Sequence, residues 1–264
     1  MSAVEDLLRE LVIANRILGR EGVVDAYGHI SVRSPDDPNR YFISRSRSPE
    51  LVERDDLIEF TLDGRPVRAN ETRPFYIERH IHGGIYEARP DIKAVVHSHA
   101  YETLPFGITG VPLRPVIHSA GPLGHHIPVW DIASKFGDTT LLVENMDQGR
   151  DLARSLADNR VTLMRGHGFA AAAPGLREVV RYSVYLPKNA GVLMDALRLG
   201  GELKPLSAGE IDQRLKQRTA GPEWDRAWEY WAMRAGVAHL LDRPRTTGKK
   251  APAKKKAKAK KGRR

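Results

Sequence analysis

The stretch AVVHSHA, residues 94–100, places two histidines one residue apart at the end of an apolar run. In a β-strand alternate side chains share a face, so His97 and His99 project together and Ser98 points the other way. Two imidazoles on one face of a strand end can hold one divalent cation. They can equally stand as two polar residues facing solvent. Upstream, YIERHIHGGIY (76–86) has helical spacing, and its Glu78 and His82 lie four apart on one face. Downstream, His167 sits between Gly166 and Gly168 in MRGHGF. Flanking glycines permit close backbone approach and unusual dihedrals. Three imidazoles and a carboxylate form a suitable donor set for Zn2+, Mn2+ or Co2+, with room for a substrate oxygen. The plainer alternative makes His167 a turn residue and Glu78 a surface acid.

Elements must carry these residues to one place. Residues 3–20 read as an amphipathic helix, with Leu7, Leu8, Leu11, Ile17 and Leu18 on one stripe and Gly22 ending it. HISVRS (29–34) and RYFISRS (40–46) alternate as a hairpin pair around the turn PDDPN (35–39). DDLIEFTLDGRP predicts a further short strand with an Asp63-Gly64 turn. A helix is expected over 75–88, stopping before Pro90, and then a buried strand at IKAVVHSHA. Residues 126–130 and 161–173 read as strands, with a helix over 147–159 between them. A long helix over 176–199 is expected to break or kink at Pro187, and residues 223–241 form a Trp-rich amphipathic helix. No internal repeat is present. The pattern predicts one α/β domain spanning residues 1–245, its strands mostly antiparallel or mixed because short turns join many of them.

ERHIHGGIYEARPDIKAVVHSHA, followed downstream by MRGHGF, resembles the class II aldolase/adducin family. There a Glu starts the helix, an H-x-H ends the next strand and an H-G closes the site. GHISVR (28–33) resembles the family's G-N-[IL]-S-x-R loop. The resemblance covers residues 5–200 and implies an α/β/α sandwich around a mainly antiparallel sheet. It implies one divalent metal ion per chain on His97, His99 and His167. Glu78 matches the acid–base residue, which also ligates the metal when no substrate is bound. A ring-shaped homotetramer with sites at subunit interfaces is implied as well.

The sequence departs from the family's sugar-phosphate members where they hold phosphate. Asn is replaced by His29, the T-P-S-G loop has acquired Arg45 and Arg47 in SRSRSP (44–49), and Tyr76-Ile77 replaces two serines before Glu78. A pocket of small hydroxyls and backbone N–H groups for phosphate gives way to planar guanidinium forks suited to carboxylates, unless both arginines are solvated loop charges. These departures resemble a branch that decarboxylates hydroxylated aromatic carboxylates. Under that resemblance Glu78 delivers a proton to the ring carbon, and Arg45, Arg47, His29, Arg114 and His118 are substrate-binding candidates. His82 is expected to hydrogen-bond behind the ligands and His80 to flank the site. His125 and His126 are expected in a solvated loop. Trp224, Trp228 and Trp231 are expected to pack, as helical spacing suggests. The competing readings are an aldolase or epimerase of a sugar phosphate and a non-catalytic, adducin-like binding module. The resembling epimerases carry Asp where this chain has Glu78, and adducin-like heads lack the metal histidines.

Composition narrows the remaining classes. At 264 residues the chain can bury a sizeable core. With no Cys, disulfides, thiolate ligands and Cys nucleophiles are excluded. No apolar run reaches the ~20 residues of a membrane helix, and the acidic, helix-patterned N-terminus is unlike a signal peptide, so a cytoplasmic protein without membrane contact is expected. The net charge of +9 resides in residues 246–264, which hold eight Lys, two Arg and no acid; the remainder carries 32 basic and 33 acidic residues. Such a block repels itself and is expected to be a disordered tail. It lacks aromatics to stack on bases, so weak nucleic-acid contact through the tail is the most that is expected.

Overall fold

The computed structural model describes residues 3–241. The basic tail and the boundary at 245 lie outside them. Seven strands form one sheet in the order β3-β2-β1-β4-β7-β6-β5. They are β1 (His29–Arg33), β2 (Arg40–Ser44), β3 (Leu57–Thr61), β4 (Ala94–Ser98), β5 (Val129–Trp130), β6 (Val161–Met164) and β7 (Gly168–Ala173). All neighbours are antiparallel except β5 and β6. The helices are α1 (Ala3–Arg20), α2 (Arg79–Ala88), α3 (Leu104–Ile108), α4 (Ala133–Phe136), α5 (Met146–Leu156), α6 (Leu176–Leu199), α7 (Ala208–Leu215) and α8 (Pro222–Arg234).

The alternation of the central strands divides the core in two. Ile30, Val32, Ala94, Val96, Phe169 and Ala171 face α1, α6 and α8, where Trp228 and Trp231 complete the packing. Val95, Ala170 and Ala172 face α2 and α5. Helices therefore cover both faces of a mainly antiparallel sheet, the α/β/α arrangement expected from the sequence. On β1 the α2-facing positions are polar: His29, Ser31 and Arg33, all buried. α2 satisfies them, since Arg33 Nη2 donates to the Tyr86 carbonyl at 2.7 Å and Ser31 Oγ meets Tyr86 Oη at 2.8 Å.

Several elements differ from the sequence expectation, among them the Trp-rich helix expected to run to 241, which ends at Arg234. The helix expected from 75 begins only at Arg79, with Glu78 at its N-cap. Residues 126–128 are outside the two-residue β5. α6 runs through Pro187 as one helix. Proline removes one backbone bond at about 3 kcal/mol, but Val179, Val180, Val184, Leu186, Ala190 and Leu193 are buried along this helix. At about 1.5–3 kcal/mol for each large apolar side chain, that burial outweighs the lost bond.

α2 and α5 meet backbone to backbone. A Cβ on Gly84 would stand 2.4 Å from the Gly149 carbonyl carbon, and one on Gly149 only 2.2 Å from the His80 carbonyl oxygen. Gly149→Ala should therefore wedge the helices apart and destabilise the protein by about 1–3 kcal/mol. Calorimetry should show Tm lower by several degrees, at about 2–4 °C per kcal/mol for a domain of this size. An unchanged Tm would show that the helices separate without cost.

Candidate active site

Four donor groups converge where β4 ends. His97 and His99 project from β4 on the α2 side, as strand alternation requires. Glu78 stands at the start of α2, where the helix N-terminus favours a carboxylate. His167 closes the β6–β7 turn. Gly166 there has φ +66°, and a Cβ on Gly168 would fall 1.9 Å from the Ser98 carbonyl oxygen, so glycine is what lets this turn reach the strand end. The ligating atoms of all four residues lie within 4.8 Å of one another. His97 Nε2 is 3.0 Å from His99 Nε2, and His99 Nε2 is 3.2 Å from His167 Nε2. Glu78 Oε2 lies 3.3 Å from His97 Nε2 and 3.4 Å from His167 Nε2.

The outer partners fix what those atoms are. His97 Nδ1 donates to the Phe169 carbonyl (3.1 Å), His167 Nδ1 to the Leu141 carbonyl (3.0 Å), and His99 Nδ1 to the Asp25 carboxylate (3.3 Å). Each proton is thereby placed on Nδ1, leaving three bare Nε2 lone pairs facing one another and a carboxylate. Lone pairs repel, so the arrangement calls for a cation at its centre. Burial, reinforced by His97, lowers the His99 pKa to about 4, which keeps this ring neutral and able to ligate. Burial opposes ionisation of Glu78; a proton on Nε2 of His97 and His167 would outweigh it, by charge and hydrogen bonding, and hold the carboxyl below the usual range. Glu78 Oε1 is anchored separately by the Val143 N–H at 2.9 Å.

Behind the ligands runs a buried polar chain. His29 stands opposite His97 in the β1–β4 register, with ring centroids 5.2 Å apart. His29 Nδ1 meets His82 Nε2 at 2.7 Å, and His82 Nδ1 meets Ser31 Oγ at 2.6 Å. Burial is the main cause that drives His82 down to about 3, with His97 adding to it. His82 thus bonds behind the ligands, through His29 rather than through Glu78.

An open cavity of about 410 Å³ adjoins the group; His29, Tyr76 and Leu142 contribute to its wall. Tyr27, Ile77 and Tyr101 stand at its rim, 72 %, 56 % and 76 % exposed. Asp25, Tyr27 and Tyr101 were not singled out from the sequence. The available signal was the DAYGH run, in which the Asp25 carboxylate accepts the Tyr27 and Gly28 N–H groups. Arg45 and Arg47 do not line the cavity; both guanidinium groups bond Asp56, at 2.6 and 2.7 Å. Arg114 and His118 are exposed on the stretch after α3 and also lie outside it. His80 is buried with Nδ1 unpartnered, His126 is exposed, and His125 pairs with Asp212.

A seven-stranded α/β/α sandwich with a histidine–carboxylate group at a strand end defines a class of metal-binding scaffold. The chain belongs to the family described as "Class II Aldolase and Adducin N-terminal domain", which it matches over residues 9–194. It is 41% identical over 199 residues to "Decarboxylase tropJ" of Talaromyces stipitatus, covering 70% of this chain and 74% of that one. It is 27% identical over 210 residues to a "3,4-dihydroxyphthalate decarboxylase" of Arthrobacter keyseri, covering 76% and 83%. An aldolase II superfamily protein of Pseudomonas syringae shares the fold with a TM-score of 0.71 at 20% identity, covering 91% and 98%.

Proposed function

We propose that this protein is a divalent-metal-dependent carboxy-lyase that removes CO2 from a hydroxylated aromatic carboxylate. The carrying observation is the convergence of three bare imidazole nitrogens and the Glu78 carboxylate beside a cavity with an aromatic rim. The 41% identity to a decarboxylase supports the reaction class. His97, His99, His167 and Glu78 would hold the ion, and this nitrogen-rich set suits Zn2+, Mn2+ or Co2+. Bound there, the metal supplies Lewis-acid stabilisation of negative charge on a substrate oxygen.

The chain's own residues supply positioning and the proton. Glu78, ionised in the free site, takes the proton of the substrate's ring hydroxyl and returns it to the carboxylate-bearing carbon. The carbon–carboxylate bond then breaks, CO2 leaves, and its electron pair restores the aromatic ring. The ring hydroxyl regains a proton from water. Tyr27, Tyr76 and Tyr101 offer flat faces to the substrate ring, and His29 presents an imidazole edge to its substituents. Arg45 and Arg47 reach a substrate carboxylate only by exchanging Asp56 for it. The assembly in this reading is a homotetramer with interfacial sites; Arg114 and His118, exposed and outside this chain's cavity, would contribute to substrate binding only across such an interface.

The test is a side-by-side assay of the purified protein with Mn2+. Hydroxylated aromatic diacids should release CO2, and fuculose- or rhamnulose-type phosphates should remain uncleaved. Efficient cleavage of those phosphates without decarboxylation would restore the aldolase reading.

A further inference from the structure

A second cluster of charge, away from the histidine group, gathers four arginines around one acid. Arg160, Arg181, Arg214 and Arg218 line one small cleft, and the acid lining it is Glu223. They come from four places: the residue before β6, the first half of α6, the last turn of α7 and the loop before α8. Nε of Arg181 and Nε of Arg214 are buried and have no hydrogen-bond partner. Among the described residues none of the four forms an ion pair, whereas Arg177, one helical turn before Arg181, pairs with both Glu10 and Asp225.

The contacts these arginines do make orient them without neutralising them. Arg160 donates to the Pro122 carbonyl and lies 5.3 Å over the Tyr182 ring. Arg181 lies 4.5 Å over the Trp224 ring. Arg214 donates to the Gln217 side chain, and its Cγ would be 2.6 Å from a Cβ on Gly121. Gathering like charges in a partly dry cleft is costly unless something of opposite sign joins them. Planar guanidinium forks match paired oxygens.

We infer that this cleft is a binding site for a small oxyanion, bridged by Arg160, Arg181, Arg214 and Arg218. Phosphate and carboxylate groups share the required chemistry. The bound ion ties α6, α7, the approach to α8 and the start of β6 to the 118–123 segment, which touches the cluster through Gly121 and Pro122. It binds the folded chain and not the unfolded one, so it raises thermal stability by mass action.

The test is thermal unfolding of the full chain in inorganic phosphate, with ionic strength held constant by chloride. Phosphate should raise Tm saturably in the wild type and in His99→Ala, because the cleft is separate from the histidine group. Arg181→Gln and Arg214→Gln should each weaken the apparent phosphate affinity by about tenfold or more. Arg218→Gln, at an exposed position, gives the same readout if the buried variants fail to fold. Repeating the titration in His99→Ala with an aromatic diacid distinguishes a carboxylate from phosphate as the occupant. Three results would overturn the assignment: equal phosphate shifts in the wild type and all arginine variants, a shift lost only in His99→Ala, or a wild-type oligomer that dissociates in Arg181→Gln by light scattering. The last would give the arginines to a protein interface.

Discussion

His99→Ala should leave the protein folded and strip it of most of its divalent metal and turnover. The side chain stands at a strand end, 19% exposed; its Nδ1 donates to Asp25, and its Nε2 faces those of the two other imidazoles. Truncation therefore opens no apolar cavity and costs little stability. What it removes is one lone pair of three. Loss of a mere supporting hydrogen bond at a metal ligand costs about 10–100-fold in affinity, and loss of the ligand itself should exceed that. Elemental analysis beside a melting curve checks both halves. Unchanged metal stoichiometry in the variant would remove His99 from the ligand set.

Glu78→Gln should lower turnover by about 10²–10⁴-fold, the range expected for a lost general acid–base group. Glutamine preserves the volume and keeps an oxygen for the Val143 N–H, so the start of α2 stays in place. The three imidazoles remain, so most of the metal should remain with them. A fall in turnover with metal retained separates proton transfer from ligation. Near-wild-type turnover would pass the proton to another group, and His29 is the cavity-wall imidazole outside the ligand set.

Local rules made part of the site readable. The His-x-His pair needs only the two-residue period of a strand, and the glycines around His167 announce a backbone held close to a neighbour. Glu78 was singled out by its helical spacing to His82 and given its role by the family resemblance, but its place at the N-cap was hidden because residues 75–77 continue the helical pattern without joining the helix. Long-range pairing was illegible. His29 and His82 are 53 positions apart, and only the packing of α2 on the sheet brings them to 2.7 Å. Arg45 and Arg47 looked free for substrate because nothing in SRSRSP reveals that Asp56, nine and eleven positions on, folds back to meet them. The two-sided sheet was implied by the family resemblance, whereas the unbroken α6 was not legible. Proline's local cost is visible in the sequence, but the burial that offsets it depends on what packs alongside.

The four donor residues come from three separate segments, the start of α2, the end of β4 and the β6–β7 turn. In the unfolded chain they do not form a site, so an ion held there binds the native state alone. Free ion at a hundred times its dissociation constant adds about 2.7 kcal/mol to stability, a sizeable part of the 5–15 kcal/mol typical of a whole domain. Such an ion would be a removable cross-link. In a chain without cysteine it would take the part that disulfides play elsewhere, and the endurance of the fold would then follow the metal supply of its surroundings.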